Sequence, residues 1–376
     1  MAVAGDGVAL SDRAAKVTLA KWAKKVSDMT KRRLPMIRIL EKKGRIKRGD
    51  GGGQLRWIPE IYEHELKPLV ELKAATFERL HELENAYLPW GGYYAEDAVS
   101  WQETLENSGA AAIVKLFMNR SSKVERNAMR GFASKLYVDG PTLGNKEFHG
   151  IESFMSAGAQ TVGDEFATVL NDTYASLSTS YTAFNANAVK GTNPEYGAWS
   201  PVVVPTNRQD ADGENKTWDR YGHEYIRKMV LEASRSTMPE DNIDVVTLSK
   251  SNYEDLLNLL DDNNRVQLNS SSYSNMIKYG FDPGQFVNVE GASVMWDFAC
   301  PTTDGAGKTV RGYGFNTDYM ELVLLSGGKS RSVFSVMKDY DATRLAHLIR
   351  LATYGNFKFE SPRMFGKLVD LDETAA

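Results

Sequence analysis

The chain has 376 residues, 42% hydrophobic and 25% charged, with a formal net charge of −4 and a single cysteine, Cys300. This is the balance of a globular protein with core enough for two or three domains. No apolar run reaches the roughly 18 residues that span a bilayer, the first residues lack the basic and apolar regions of a signal peptide, and one cysteine excludes an intrachain disulfide and suits a reducing cytoplasm.

The charge is unevenly spread. Residues 13–48 carry fourteen Lys/Arg against Asp28 and Glu41, a balance of +12, which leaves −16 for the rest of the chain. Such a basic arm can bind nucleic acid, lie on the acidic surface of another copy, or be a solvated helix face. Within it, residues 11–33 have the spacing of an amphipathic helix, with Val17, Leu19, Ala20, Ala23 and Val26 apolar among lysines. Pro35 argues against an uninterrupted helix beyond Leu34.

The stretch "KRGDGGGQLRW" (residues 47–57) follows. It contains Arg48-Gly49-Asp50, the tripeptide of integrin ligands, and a glycine run that could cradle a phosphate beside Lys47 and Arg48. A third reading is a flexible tip between two extended segments, residues 45–47 and 55–62. Residues 71–88 suit a helix on propensity, whereas "YLPWGGYYAEDAVSW", broken by Pro89, Gly91 and Gly92, reads as extended. From 101 to 138 the apolar residues Leu105, Ile113, Leu116, Phe117, Met129, Phe132 and Leu136 predict one long helix, about 57 Å at about 1.5 Å per residue.

Beyond Gly140-Pro141 the pattern changes to short elements. Tyr225, Ile226, Met229, Val230 and Ala233 predict one helix, and the capping-box pattern Ser251 to Glu254 opens a second with Leu256, Leu257, Leu259 and Leu260. Strands are expected at 244–248, 286–289, 293–298 and 319–325, and long β-structure from 331 to 371. There is no internal repeat.

No catalytic pattern emerges. His64, His81, His149, His223 and His347 lack the partner spacing of a zinc site. "GAGKT" (305–309) has Thr302 where a phosphate loop needs glycine, and the strand-like "VRGYGF" follows instead of a helix; a hairpin turn fits better. "LDDNNR" (260–265) lacks the glycine of a calcium loop. Gly-x-Ser-x-Gly is missing, and Cys300 sits between a strand and Pro301.

The order of parts resembles the tailed-phage major capsid proteins of the Hong Kong 97-like fold. "VSWQETLENSGAAAIVKLFMNR" (99–120) resembles the start of that family's spine helix, and "KLYVDG" (135–140) with "FHGIESFMS" (148–156) its exit. "NDTYASLSTSYTAFNANAV" (171–189) and "GFNTDYMEL" (314–322) resemble later segments. The resemblance implies an α+β fold with an N-terminal arm (1–44), an extended β-hairpin loop (45–100), a peripheral domain with the spine helix and long β-strands (101–150 and 331–376), and an axial α/β domain (151–330). It implies a non-enzymatic shell protein without cofactor or metal. Partners would be further copies in hexamers and pentamers, scaffolding, portal and possibly decoration proteins, and packaged double-stranded DNA bound without sequence preference. No membrane partner is implied, and the place of the protein would be the virion, after assembly in the host cytoplasm.

Under the same resemblance the glycine-rich stretch becomes the tip of the extended loop. Arg48, Gly49, Asp50, Gly51, Gly52, Gly53 and Arg56 would meet a neighbouring subunit, with Trp57 as a buried anchor. Arg13, Lys16, Lys21, Lys24, Lys25, Lys31, Arg32 and Arg33 would face DNA or another subunit. Some family members join a loop lysine to an asparagine; Lys47 and Asn356 are the candidates here, and no such link is expected. An encapsulin-type compartment shell and a nucleic-acid-binding protein acting through its arm are the alternatives.

Overall fold

Residues 34–49, 51–59, 85–106, 110–140, 144, 146–155, 173–180, 199–209, 215–234, 242–262, 286–325, 333–341 and 346–370 are described by the computed structural model. The expected helix at 11–33 and the 71–88 segment before Ala86 lie largely or wholly outside them. In chain order the elements open with α1 (Pro35–Lys42), β1 (Ile46–Arg48), β2 (Gln54–Trp57), β3 (Ala86–Pro89), β4 (Gly91–Ser100), α2 (Trp101–Glu106) and α3 (Ala110–Ser134). Then come β5 (Thr173–Tyr174), β6 (Leu177–Ser178), β7 (Val202–Thr206), β8 (Arg208–Gln209), β9 (Asn215–Lys216), α4 (Trp218–Ala233), β10 (Val245–Leu248) and α5 (Lys250–Asp262). The chain continues with β11 (Phe286–Val289), β12 (Ala292–Trp296), β13 (Val310–Phe315), β14 (Met320–Leu324), β15 (Ser335–Asp341), β16 (Ala346–Phe359) and β17 (Gly366–Asp370).

Two units form. The first holds residues 1–51, 90–150 and 322–357; the second holds 52–89, 151–321 and 358–376. Gly51 and Gly52, Pro89 and Trp90, and Phe357 and Lys358 are the neighbours in sequence at which the chain passes from one unit to the other.

In the first unit, Pro35 does not merely end a helix. With Leu34 extended, Pro35 takes the first helical position, where a missing N–H costs nothing, and opens α1. α1 buries Met36, Ile37, Ile39 and Leu40. The long strand β16 organises the sheet: residues Ala346–Ala352 pair antiparallel with β15, and Ala346–Gly355 pair antiparallel with β4 on the other edge. Its burial alternates, with Ile349, Leu351, Thr353 and Phe357 inward and Arg350 and Tyr354 toward solvent, as the two-residue repeat of a strand requires. β1 adds to β14 in parallel register, Ile46 beside Leu322 and Arg48 beside Leu324.

The expected single helix over 101–138 is not described as one run. Ser100 and Glu103 form a reciprocal capping box at α2: the Glu103 N–H donates to Ser100 Oγ at 3.2 Å and the Ser100 N–H to Glu103 Oε2 at 3.3 Å. α3 follows with 25 residues, about 37 Å long, and a 3-10 turn at Lys135–Tyr137. Ile113, Phe117, Val124, Ala128, Met129 and Phe132 form its buried stripe. Phe132 reaches a cluster with Phe148, Phe334 and Phe357, centroids 5.4–5.9 Å away.

The second unit is built on a mixed sheet in the order β11-β12-β10-β13-β17-β7. β10 runs parallel to β12, β17 runs parallel to β7, and the other pairs are antiparallel. Helices α4 and α5 cover one face with Trp218, Tyr225, Ile226, Met229, Val230, Tyr253 and Leu256 against Val202, Val204, Val246, Leu248, Val294 and Leu368. α4 comes close to the sheet at Gly314 and Gly366: a Cβ would stand 2.8 Å from Met229 Cε, the flexible end of that side chain, at the first and 2.4 Å from Met229 Cγ at the second. The opposite face is aromatic, with Phe154 within 5.0–5.8 Å of Tyr174, Phe359 and Phe365. α5 begins two residues earlier than its capping-box pattern suggests. Ser249 is the cap, its Oγ accepting the Asn252 N–H at 3.4 Å.

Candidate assembly surface

The glycine-rich stretch is not a hairpin tip. Its flanking strands do not pair with each other: β1 pairs with β14, and β2 pairs antiparallel with β3, Gln54 opposite Pro89 and Trp57 opposite Ala86. Residues 58–85 therefore close the hairpin, and 60–84 lie outside the described residues. Residues 49–53 instead form the passage from β1 to β2, where one unit ends at Gly51 and the other begins at Gly52. Gly51 and Gly52 have φ of +95° and +90°, a region closed to most side chains.

The candidate residues are thus divided. Arg48 is exposed on β1 and the Gly49 N–H donates to Leu324 O at 3.1 Å, both in the first unit. Asp50 lies outside the described residues. Gly53 is exposed ahead of β2. On the β2–β3 hairpin, opposite residues share a face. Leu55 with Leu88 and Trp57 with Ala86 point inward, while Arg56 and Tyr87 point out, next to exposed Ile58. Trp57 is half-buried in the single chain, and it anchors the hairpin to its own unit: Nε1 donates to Glu360 O at 3.3 Å and the ring lies 5.5 Å from Lys358 Nζ. The Tyr87 N–H donates to Ala175 O at 3.1 Å and holds the same hairpin base.

Large apolar side chains are exposed on both units: Tyr94, Trp101, Leu105, Met118 and Tyr354 on the first, Leu231, Trp296 and Phe298 on the second. Single exposed apolar side chains are ordinary on a protein surface; a contiguous patch is what marks an interface. On the first unit these residues alternate with ion pairs, Arg350 with Glu96 at 2.8 Å and Arg120 with Glu103 at 2.7 Å. The basic-arm residues Arg13, Lys16, Lys21, Lys24, Lys25, Lys31, Arg32 and Arg33 lie outside the described residues.

The Lys47–Asn356 pairing finds no support in the geometry. Asn356 is fully buried and its Oδ1 accepts the His149 N–H at 2.7 Å. "GAGKT" is a turn. Thr303 bridges Thr309, the Gly307 N–H returns to Asp304 O, and β13 follows with no helix N-terminus. Burial pushes the Cys300 thiol well above its usual pKa, with Asp297 adding to the effect, which makes it a poor nucleophile. Among the described residues no cluster of His, Cys, Asp and Glu is placed to hold a metal ion, and no helix is long and apolar enough to cross a membrane.

One constellation escaped the sequence reading. Lys367, in the middle of β17, is wholly buried on the aromatic face of the second unit's sheet. Its Nζ lies 2.8 Å from Glu152 Oε1 and 3.0 Å from Asp304 Oδ2, and it donates to Met155 O at 3.4 Å. Tyr313, directly opposite Lys367 in the sheet, donates its hydroxyl to Glu152. Burial raises the Glu152 pKa against the pull of Lys367 and Tyr313. Burial also opposes ionisation of Asp304, but Lys367 and backbone N–H donors outweigh it and hold that pKa below the usual range. A lysine inside "FGKLVD" was the available signal.

Neither a family sequence model nor a curated protein matches the chain. Solved structures do. The capsid of the native GTA particle matches at 10% identity over 89% of this chain and 91% of that one, with a TM-score of 0.55. The capsid chain of cyanophage A-1(L) matches at 15% identity over 90% of this chain and 92% of that one, also with a TM-score of 0.55. At these identities the likeness is one of fold: the chain has the fold of the tailed-phage major capsid proteins, the Hong Kong 97-like fold.

Proposed function

We propose that the protein is a major capsid protein, many copies of which assemble into the icosahedral shell around the double-stranded DNA of a tailed phage. The observation that carries this reading is the extent of the likeness: about nine-tenths of the chain follows the capsid chains of the GTA particle and cyanophage A-1(L). The β2–β3 hairpin would present Arg56, Ile58 and Tyr87 to a neighbouring copy. The basic stretch from Arg13 to Arg33 would face the packaged DNA. Catalytic turnover plays no part in this role.

Electron microscopy of the expressed protein, alone and with candidate scaffolding proteins, tests it. Rings, sheets or closed shells are expected; a monomer under every such condition defeats the proposal. The contents of native particles separate a phage shell, filled with DNA, from an encapsulin-type compartment filled with protein.

A further inference from the structure

The Lys367 cluster is buried inside the second unit, and its chemistry is specific. Burying one ammonium and two carboxylates is costly, and attraction among them repays it only in favourable geometry. The geometry here does more than pair charges. Asp304 Oδ1 accepts the backbone N–H groups of Ala306 at 3.0 Å and Lys308 at 2.9 Å, while Asp304 Oδ2 faces Lys367 Nζ at 3.0 Å. The carboxyl carbon thus has two fixed N–H donors on one oxygen and an amine against the other. Glu152 touches the same amine, and its second contact, the Tyr313 hydroxyl, fixes its orientation. Both reacting side chains are shielded from water, with 0% and 2% exposure.

We propose that Lys367 and Asp304 condense within the folded chain to an amide, with Glu152 carrying the protons. Glu152 takes a proton from the Lys367 ammonium, and burial, which raises its affinity for a proton, favours that transfer. Glu152 passes that proton to Asp304 Oδ2, and the neutral Nζ then attacks Cγ of the protonated carboxyl, forming the N–C bond and placing negative charge on Oδ1, where the Ala306 and Lys308 N–H groups receive it as an oxyanion hole does. Glu152 relays a second proton from the nitrogen to Oδ2, the Cγ–Oδ2 bond breaks, and one water leaves. Ammonium and carboxylate supply every atom of that water, and no oxidant, metal or outside reagent enters. The product replaces two buried charges with an amide and staples β17 to the turn ahead of β13.

Peptide mapping by mass spectrometry of the folded, full-length protein decides the matter. The expected result is one branched species joining the peptides that contain Asp304 and Lys367, one water lighter than their sum. Asp304→Asn should join the same peptides with loss of ammonia in place of water, and Glu152→Gln should leave them separate. Wild-type peptides found unjoined overturn the proposal. So does a water loss confined to a succinimide at Asp304-Gly305, which leaves the two peptides apart. Because the wild-type map suffices, variants that fail to fold do not protect the idea.

Discussion

Acidification should loosen the first unit through His149. The ring is buried, packed against Gly140, and neither nitrogen has a hydrogen-bond partner among the described residues. Burial lowers its pKa from 6.5 to about 4. A histidine whose folded pKa is depressed takes up protons on unfolding, so its contribution is present above 6.5 and disappears as pH falls toward 4. The gap, at about 1.36 kcal/mol per pH unit, caps the effect near 3.4 kcal/mol. Between pH 7 and pH 5 the linkage relation yields a loss of about 2 kcal/mol, a large part of a typical domain's stability of about 5–15 kcal/mol. Urea unfolding of the unassembled protein at both pH values, for wild type and His149→Leu, isolates this contribution, since His223, His347 and the carboxylates remain in both. The fall in stability should be smaller in the variant by about 2 kcal/mol. Equal falls in the two proteins, or an NMR titration that places the His149 ring near 6.5, would refute the reasoning.

Other perturbations have separate readouts. Gly366→Val should lower stability by at least about 1–3 kcal/mol, because its side chain meets Met229; an unchanged urea midpoint would contradict the close approach of α4. Asn356→Ala strands the buried His149 N–H and should cost about 1–3 kcal/mol, measurable in the same assay. Boiled mature particles should run as a single band near 41.8 kDa, and a ladder of multimers that vanishes in Lys47→Arg would contradict this. Replacing Lys21, Lys24, Lys25 and Lys31 by Gln should leave empty shells intact and reduce the salt dependence of DNA retention, whose slope is about −0.9 per phosphate contact; failure of that variant to assemble would assign those charges to subunit contacts.

Local pattern carried much of the architecture. Helix α4 and the strands β10–β14 were legible because each has a period or an apolar run of its own, and α5 was displaced only by choosing Ser251 over Ser249 as its cap. What escaped depends on partners distant in sequence. The segments around Gly49 to Gly53 look like a hairpin because they are adjacent, but β1 finds its partner at Leu322–Leu324 and β2 at Ala86–Pro89. The contacts of Trp57 with Glu360 and Lys358 follow from the same pairing. Of the candidate surface, β2 could be read, but not β3 in full, since residues 86–88 suit a helix on propensity, nor which face of the hairpin is exposed. Lys367 was invisible for a different reason: a charged residue in a strand reads as outward until the carboxylates that hold it, from residues 152 and 304, are folded onto it.

The place of β17 has a bearing on how the protein is made. This strand lies inside its sheet, between β13 and β7, yet residues 366–370 follow every other strand of that sheet in the chain. Until they emerge, β7 has no neighbour and β13 exposes an open edge, so the second unit cannot close while it is being synthesised, and pairings between residues so far apart form slowly. A chain cut short before β17 therefore yields no near-native second unit. Synthesis through residue 370 becomes a condition for closing that unit, set by strand order alone.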